Sequence, residues 1–298
     1  MIISASRRTD IPNYYSKWFI NRIQEEYVLV RNPFNTHQVS KIDLSPEAID
    51  CIVFWSKNPK NMLDKLHLLR DYKYYFQFTI TSYFNDIEKN IKNDDIFNTF
   101  MRLSDLIGYD KVVWRYDPII ITDKYTIDYH KKYFEKMAKI LSNYTDLCVI
   151  SFLDIYKKVL KNMRDINLYD INEYAIMELS KFISDIANFY NIRVATCCEN
   201  YDLSQFGIIK GKCIDDDRIS NILGFNIKSK KDRNQREHCG CIESYDIGAY
   251  NTCLSHCIYC YANYSQDKVK SMTSMYDEKS PILCDTINDK DIIKSRKS

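Results

Sequence analysis

The feature that most constrains the fold is a series of short apolar runs set between longer amphipathic stretches. Each run is rich in β-branched or aromatic residues and almost continuously apolar, which is typical of a strand buried on both faces. We therefore predict a central sheet of buried strands. The runs are Ile2–Ala5, Cys51–Trp55, Tyr74–Ile80, Val112–Arg115, Leu147–Phe152 and Arg193–Cys197.

The stretches between these runs carry helix signals. Apolar residues recur at three- and four-residue spacing, and capping residues or prolines stand where a helix would begin. One detour, Val28–Arg31 and Val39–Leu44 around the turn residues 32–35, predicts a hairpin. The predicted helices are Pro12–Ile23 after Asp10, one that begins at Ser45-Pro46-Glu47, one that begins at Asn58-Pro59, Thr122–Tyr144 and Asn172–Phe189.

Repeated strand–helix units predict a parallel sheet with right-handed crossovers. Consecutive units are mostly 23 to 45 residues apart, close to the roughly 31 residues per unit of an eight-unit barrel. We predict an α/β protein with a full or partial TIM-like (β/α) barrel. An open doubly wound sheet is the alternative.

Composition excludes several classes of protein. The chain has 298 residues, of which 45% are hydrophobic, and a formal net charge of +2. These values exclude a disordered chain and give no support for a nucleic-acid or anionic membrane partner. We see neither a signal peptide nor an apolar run near the roughly 20 residues of a membrane span. We expect a cytoplasmic protein whose 11 cysteines are reduced or metal-bound.

Cysteine and glycine are concentrated late in the chain. Nine of the 11 cysteines follow residue 196, as do five of the six glycines. Cysteine supplies soft ligands and glycine permits close backbone approach. We predict (β/α) units in residues 1–196, a cysteine-rich region in 197–264 that binds a metal cluster and completes the barrel, and a polar, partly ordered tail in 265–298.

One cysteine motif carries specific chemistry. Residues 253–261 read Cys-Leu-Ser-His-Cys-Ile-Tyr-Cys-Tyr, a C-x3-C-x2-C spacing with an aromatic residue before the third cysteine. Three such thiolates can ligate three irons of a 4Fe–4S cluster and leave the fourth iron open to a chelating small molecule. Structural zinc sites usually have four ligands in paired C-x2–4-C elements, and bacterial ferredoxins use C-x2-C-x2-C. The motif matches neither, although a zinc site or a chance spacing is the alternative.

The motif resembles that of the radical SAM superfamily. The resemblance implies that Cys253, Cys257 and Cys260 ligate a 4Fe–4S cluster whose free iron binds S-adenosylmethionine, and that Tyr259 packs on the adenine. It also implies reductive cleavage of S-adenosylmethionine to methionine and a 5′-deoxyadenosyl radical, which abstracts hydrogen from a substrate.

The position of the motif is unusual for that superfamily, in which it mostly lies near the N-terminus. Here residues 244–252 read as the preceding strand, so we predict a circularly permuted radical SAM barrel, because closure depends on strand neighbours. Up to about residue 264, the chain also resembles a family described only as a domain of unknown function. The shared phrases are Ser4-Ala5-Ser6-Arg7-Arg8-Thr9-Asp10-Ile11-Pro12, Phe54-Trp55-Ser56-Lys57-Asn58-Pro59, Tyr75-Phe76-Gln77-Phe78-Thr79, Gly211-Lys212-Cys213-Ile214-Asp215 and Cys239-Gly240-Cys241.

A second cysteine group consists of Cys198, Cys213, Cys239 and Cys241, with Cys197 as a rival to Cys198. Four thiolates from separate loops could enclose an auxiliary 4Fe–4S cluster, as in several radical SAM enzymes. A structural zinc ion or free thiols are the alternatives.

Polar side chains at strand ends are further candidates, because the site of a parallel barrel lies at the carboxyl ends of its strands. Arg115 stands in an apolar strand, where an unpaired charge is costly. It either pairs with a carboxylate or clamps the carboxylate of S-adenosylmethionine in the catalytic site. Glu199 is the second catalytic candidate, as a substrate ligand or proton acceptor, with structural support of a cluster loop as the alternative.

Arg7, Arg8, Gln77 and Thr79 are candidates for binding S-adenosylmethionine. Either arginine could instead form a salt bridge within its loop. Gln77 and Thr79 share one strand face, where they could hydrogen-bond ribose hydroxyls or simply pack in the core. His256 lies between two motif cysteines and could donate to sulfur, but an exposed loop histidine is the simpler interpretation.

The sequence thus predicts a radical SAM enzyme with a second iron–sulfur cluster. The implied partner is a one-electron donor such as a reduced flavodoxin or ferredoxin, and the substrate is not indicated. An iron–sulfur or zinc-binding scaffold or electron carrier that does not cleave S-adenosylmethionine is the alternative.

Overall fold

The computed structural model describes residues 1–91, 95–155, 157–169 and 171–296. All six predicted apolar runs are strands in this part of the chain, with small differences at their ends. The strands are β1 (Ile2–Ala5), β2 (Tyr27–Arg31), β3 (Gln38–Asp43), β4 (Cys51–Ser56), β5 (Tyr74–Thr79), β6 (Val112–Ile119), β7 (Leu147–Phe152), β8 (Arg193–Thr196), β9 (Ile209–Lys210), β10 (Tyr245–Asp246) and β11 (Ile292–Arg296).

Eight of these strands form one sheet in the order β10-β1-β4-β5-β6-β7-β8-β9. Every neighbouring pair in it is parallel, which confirms the predicted parallel sheet. The strands therefore all end at the same edge, after Ala5, Ser56, Thr79, Ile119 and Phe152. We call this edge the carboxyl edge.

Both faces of the sheet are buried, as the continuous apolar runs predict. Phe54, Phe76 and Trp114 point into the larger core with the helices, where Trp114 stacks on Phe134 at a centroid distance of 5.0 Å. On the opposite face, residues one position away, such as Val53, Tyr75 and Val113, pack in a second core with several late cysteines. The cysteine-rich region thus covers the second face of the sheet.

The helices within the described residues flank the sheet and complete a mixed α/β fold. None of them combines the length and apolar character that a membrane crossing requires. They are α1 (Ile11–Tyr14), α2 (Ser16–Gln24), α3 (Lys60–Leu63), α4 (Ile96–Ile107), α5 (Ile127–Leu141), α6 (Lys157–Asn162), α7 (Glu173–Phe189), α8 (Asp216–Leu223) and α9 (Gln266–Thr273).

Three helix predictions need correction. The helix predicted to begin at Ser45 is a turn over residues 46–48, because β4 starts at Cys51 and leaves no room for a helix. The predicted helix 12–23 is divided into α1 and α2 at Tyr15. The predicted helix 122–144 is shorter, since Thr126 caps its first turn by accepting a hydrogen bond from the Tyr129 N–H.

The predicted hairpin is confirmed as the antiparallel pair β2–β3, and β11 adds to it in parallel. The tail expected to be partly ordered therefore contributes α9 and β11 to the described structure. Three side chains of α2 hold the tail by donating to backbone carbonyls: Trp18 to Ser280 (2.8 Å), Asn21 to Glu278 (2.7 Å) and Arg22 to Lys279 (3.0 Å).

Arg31 joins the hairpin to the end of the tail. Its guanidinium lies 2.5 Å from a carboxylate oxygen of Asp285 and 2.6 Å from one of Asp291. The hydrogen bond from Arg31 lowers the pKa of Asp291 to about 2. A carboxyl whose pKa is depressed in the folded chain stabilises the fold above its ordinary pKa, and that contribution is lost as the pH falls through the folded value.

We therefore predict that Arg31→Gln lowers the midpoint of thermal unfolding and speeds proteolysis of residues 285–296. The difference from the parent should be largest above pH ~4 and should disappear near pH ~2, where Asp291 becomes protonated. Thermal scans across this pH range measure it. Lys17→Gln, which removes an exposed ammonium 3.9 Å from Glu278, is the control and should have little effect. Equal midpoints for Arg31→Gln and the parent at neutral pH would contradict the prediction.

Candidate functional site

Asp246 on β10 connects the start of the chain to the cysteine motif. Its carboxylate accepts hydrogen bonds from Ser4 Oγ (3.1 Å), Ser6 Oγ (2.5 Å) and the backbone N–H groups of Arg7 (2.8 Å) and Gly248 (3.0 Å). These bonds fix the loop after β1 against the segment that leads to Cys253. The predicted strand over residues 244–252 is in fact paired only at residues 245–246, so side chains carry much of this junction.

Gly248 is needed at this junction because the two segments approach very closely. A Cβ atom at Gly248 would lie 2.2 Å from Ser6 Oγ and 2.6 Å from Ser6 Cβ. Any larger residue would push the two segments apart.

The loop that carries the motif is held by neighbouring side chains rather than by its own thiols. The backbone carbonyls of Thr252, Cys253, Leu254 and Ile258 accept bonds from Tyr15, Asn263, Asn90 and Asn162, respectively, at 2.5 to 3.1 Å. An isolated bridge also pairs Glu88 with Cys257. The loop therefore has a defined backbone with its thiols still free.

The motif cysteines Cys253, Cys257 and Cys260 are free, half-buried and electrostatically coupled. Burial, followed by Cys260, raises the pKa of Cys253 to about 12. Burial raises the pKa of Cys257 well above its ordinary value, with Lys57 opposing and the other two thiols reinforcing the shift. The three sulfurs thus share one environment.

The motif thiols are a donor set that metals take. Three thiolates on one loop are ligands that a four-iron cluster can use, and thiolates are also zinc ligands. Among the described residues, the three motif sulfurs do not all lie within 4.8 Å of one another.

Tyr259 belongs to a buried charged network beside the motif. Its hydroxyl donates to Glu88 Oε1 (2.6 Å), which also accepts from Lys57 Nζ (2.6 Å) and Thr81 Oγ1 (2.8 Å). The Lys57 ammonium lies 5.6 Å from the centre of the Tyr259 ring. Burial lowers the pKa of Lys57, but Glu88 and Cys257 raise it overall. This network fixes the plane of the Tyr259 ring.

The second cysteine group is assembled from three loops. Cys197 Sγ lies 3.2 Å from Cys213 Sγ. Cys241 Sγ accepts the backbone N–H groups of Cys213 (3.3 Å) and Ile214 (3.4 Å). A hydrogen bond with Cys241 lowers the pKa of Cys239, so four thiols form a continuous set.

Cys197, rather than Cys198, makes the contact with Cys213. Cys198 has a positive φ of 60°, which turns the chain immediately after Cys197. The charged groups that influence the pKa of the Cys198 thiol include Arg236, Asp154 and Glu199. Of these two adjacent cysteines, Cys197 is therefore the one whose sulfur meets Cys213.

Arg115 and Gln77, on neighbouring strands of the sheet, both form hydrogen bonds with Cys213 of the second cysteine group. Arg115 is 5% exposed, and its guanidinium donates to Cys213 Sγ (2.9 Å), to Gln77 Oε1 (3.2 Å) and to Asp117. Gln77 Nε2 donates to the Cys213 carbonyl (2.8 Å), so neither end of this amide is left for a ribose hydroxyl. Thr79 stands beside Arg115 in register at the carboxyl edge. For Arg115 the ion pair is therefore observed, and a clamp on another carboxylate would compete with Asp117.

Arg7 and Arg8 contact segments far from their own loop in the sequence. Arg7 Nη2 donates to Ser244 Oγ (3.1 Å) and lies 3.9 Å from Asp232. Arg8 Nε lies 3.9 Å from Asp246. Both arginines thus sit at the carboxyl edge beside carboxylates of the late part of the chain, rather than in a salt bridge within their loop.

Glu199 lines a cavity of about 260 Å³ at the carboxyl edge. Burial raises the pKa of Glu199 to about 7, while the Phe152 N–H, which donates to its Oε1 at 2.9 Å, acts in the opposite direction. The other lining residues include Ile119, Leu153 and Ile176, but most of the surface that faces the cavity is polar. The cavity thus presents a carboxyl that titrates near neutral pH within a mixed lining.

Sequence reasoning missed Glu88 and Asp246. Glu88 lies in a loop away from any strand end, and no local pattern indicates that it is 3% exposed and paired with Lys57. Asp246 lies inside the run predicted as a strand, and no local pattern indicates that its carboxylate accepts four hydrogen bonds. His256 is half-buried, and burial together with Lys89 and Lys270 lowers its pKa.

The fold and the site together define a mixed α/β protein with two cysteine groups near the carboxyl edge of a parallel sheet. Residues 2–262 match the family described as a domain of unknown function, DUF1848, and the chain belongs to this family. A comparison with curated proteins gave no match. A crystal structure from Bacteroides thetaiotaomicron, assigned provisionally as an alpha-L-fucosidase, is 10% identical over 87% of this chain and 88% of its own, with a TM-score of 0.27. A likeness of that degree carries no argument about fold or function.

The buried network beside the motif predicts a large effect of Glu88→Gln on stability. The change leaves the Lys57 ammonium buried without its carboxylate and should lower the free energy of unfolding by about 3 kcal/mol. Urea denaturation followed by circular dichroism measures this loss. Asp95→Asn is the control, since the Lys60–Asp95 pair is exposed, and it should change stability little. Similar losses for both variants would show that the Lys57–Glu88 pair is no more important than a surface pair.

Proposed function

We propose that this chain is a radical SAM enzyme. In this proposal, Cys253, Cys257 and Cys260 hold a 4Fe–4S cluster that also binds S-adenosylmethionine. The observation that carries the proposal is the set of three free, coupled thiols on a loop whose backbone is fixed by other residues. When bound, the cluster would supply the electron for reductive cleavage of S-adenosylmethionine to methionine and a 5′-deoxyadenosyl radical, which takes hydrogen from a substrate.

The residues around the motif would position the ligands and exclude water. Glu88 and Lys57 hold the ring of Tyr259 beside the motif, where in this proposal it packs on the adenine. Asp10, which accepts the Lys57 and Asn13 N–H groups, is buried, and burial raises its pKa to about 6. The cavity beside Glu199 is the space that the proposal offers to a substrate.

The order of the strands supports the permuted barrel as the finer description of the fold. The strand that leads into the motif, β10, lies parallel and adjacent to β1. The sheet then continues through β4 to β9 in chain order. A strand from the end of the chain thus precedes the first strand in space, which is the arrangement expected of a circular permutation.

The second cysteine group is proposed to hold an auxiliary 4Fe–4S cluster. Its candidates are Cys213, Cys239 and Cys241, with either Cys197 or Cys198 as the fourth ligand. The 3.2 Å contact between two of its sulfurs is also compatible with a single zinc ion. Iron and zinc analysis of the same sample distinguishes the two.

The central test is anaerobic purification followed by reduction with dithionite in the presence of S-adenosylmethionine. We expect about eight irons per chain if both groups hold clusters, together with formation of 5′-deoxyadenosine. Cys257→Ala should abolish 5′-deoxyadenosine formation and remove about half of the iron, because it deletes one motif ligand. Cys51→Ala, in the sheet core, is the control and should retain both. A fully loaded parent that forms no 5′-deoxyadenosine would favour the electron-carrier alternative.

Lysines around the motif loop support an acidic electron-donor protein as partner. They come from three segments: Lys89 after β5, Lys158 on α6, and Lys268 and Lys270 on α9. Lys158 Nζ donates to the Tyr261 carbonyl (2.9 Å), and burial lowers the pKa of Lys158, with Cys260 opposing that shift. Positive charge therefore lies on the surface next to the proposed cluster, where it would steer an anionic partner.

Reversing this charge should slow reduction by the partner protein alone. We predict that a Lys89→Glu, Lys158→Glu, Lys270→Glu variant is reduced about tenfold more slowly by flavodoxin at low salt, whereas reduction by dithionite is unchanged. Stopped-flow absorbance measures both rates. The matched control reverses three exposed lysines of α5, Lys132, Lys136 and Lys139, and should leave both rates unchanged. Equal flavodoxin rates for the two variants would place the docking surface elsewhere.

A further inference from the structure

The second cysteine group is surrounded by more hydrogen-bond donors than free thiols require. Arg115 Nη1 donates to Cys213 Sγ, and two backbone N–H groups donate to Cys241 Sγ. The Trp55 indole packs against the same core, and its buried Nε1–H has no partner among the described residues. Donors directed at sulfur are the usual surroundings of metal-bound thiolates.

Two guanidinium groups bring positive charge to this buried group. Arg115 lies 5.2 Å and Arg7 5.9 Å from the centre of the Trp55 ring, so the indole lies close to both cations. Trp55 packs against the core that contains Cys213, Cys239 and Cys241. The Arg7 cation therefore lies next to that core.

The charge of an occupied site would match these cations. Four thiolates around one zinc ion, or around an oxidised 4Fe–4S core, carry a net charge of about −2. Asp117 adds a further negative charge next to Arg115. Without the arginines, a buried assembly of this charge would be strongly disfavoured. The need for neighbouring positive charge is the same for either metal.

We propose that the second cysteine group is a metal site formed by Cys197, Cys213, Cys239 and Cys241, with Arg115 as the positioning residue that neutralises its charge. This inference rests on the proposed function only in requiring a metal at that group. It removes Arg115 from the residues available to bind S-adenosylmethionine. Gln77 acts with it, because its amide links the Arg115 guanidinium to the Cys213 carbonyl.

The test uses the full chain in a background that lacks the motif ligands, Cys253→Ala, Cys257→Ala and Cys260→Ala. All bound metal then belongs to the second group, and we expect about four irons or one zinc per chain. Cys197→Ser in this background should lose the metal, whereas Cys198→Ser should retain it. Loss with Cys198→Ser and retention with Cys197→Ser would overturn the assigned ligand set.

Arg115→Met should weaken metal retention about 10- to 100-fold in competition with a chelator, as is typical when an outer-shell partner is removed. Arg115→Lys, which keeps the charge, should recover part of that loss. If the metal is a cluster, Arg115→Met should also lower its reduction potential, a shift that a purely structural role would not cause. The control is Arg22→Met, which removes another buried arginine on α2 and should leave metal retention unchanged.

The outcomes separate this inference from the proposed function. A background chain without metal would overturn the second site and the role of Arg115 together, while cleavage of S-adenosylmethionine by the parent remains a separate measurement. A metal that Arg115→Met and the parent hold equally well would overturn the role of Arg115 alone. Unfolding curves for each variant show whether a loss of metal is simply a loss of fold.

Discussion

The structure depends first on the carboxylate of Asp246. Four donors, from β1, the loop after it and Gly248, converge on this one side chain. The paired length of β10 is only two residues, so backbone bonding alone would hold the segment weakly. Because charge-assisted hydrogen bonds are stronger than neutral ones, the Asp246 carboxylate places the cysteine motif at the edge where the strands end.

Buried charges are the second organising feature. Two ion pairs, Lys57–Glu88 and Arg115–Asp117, lie near the two cysteine groups. Buried pairs of this kind add little net stability compared with apolar packing, so stability does not explain them. Each pair has a further partner that an apolar residue could not serve: Tyr259 for Glu88 and Cys213 for Arg115. Their position is better explained by these contacts with the residues of the two cysteine groups.

Much of the sheet could be predicted from the sequence, because a strand buried on both faces leaves a continuous apolar run. Helix α7 could also be predicted, since Asn172 caps it and the spacing of its apolar residues indicates its length. The prediction of a helix at Ser45 was wrong because the local capping residues do not show that β4 begins only a few residues later, at Cys51. Less of the candidate site could be predicted from the sequence. Cys197 and Cys198 are adjacent in sequence, and only the backbone conformation after β8 decides which of them meets Cys213.

The hydrogen bonds of Asp246 join segments that lie far apart in the sequence, and this has a consequence for biogenesis. Asp246 meets Ser6 across 240 positions of chain, and the motif follows Asp246. The ribosome releases the strands β1 to β8 before it has made any of the motif cysteines, because domains emerge from the N-terminal side. In the proposed function, a cluster at the motif would therefore be loaded only after the chain that forms most of the sheet has been synthesised.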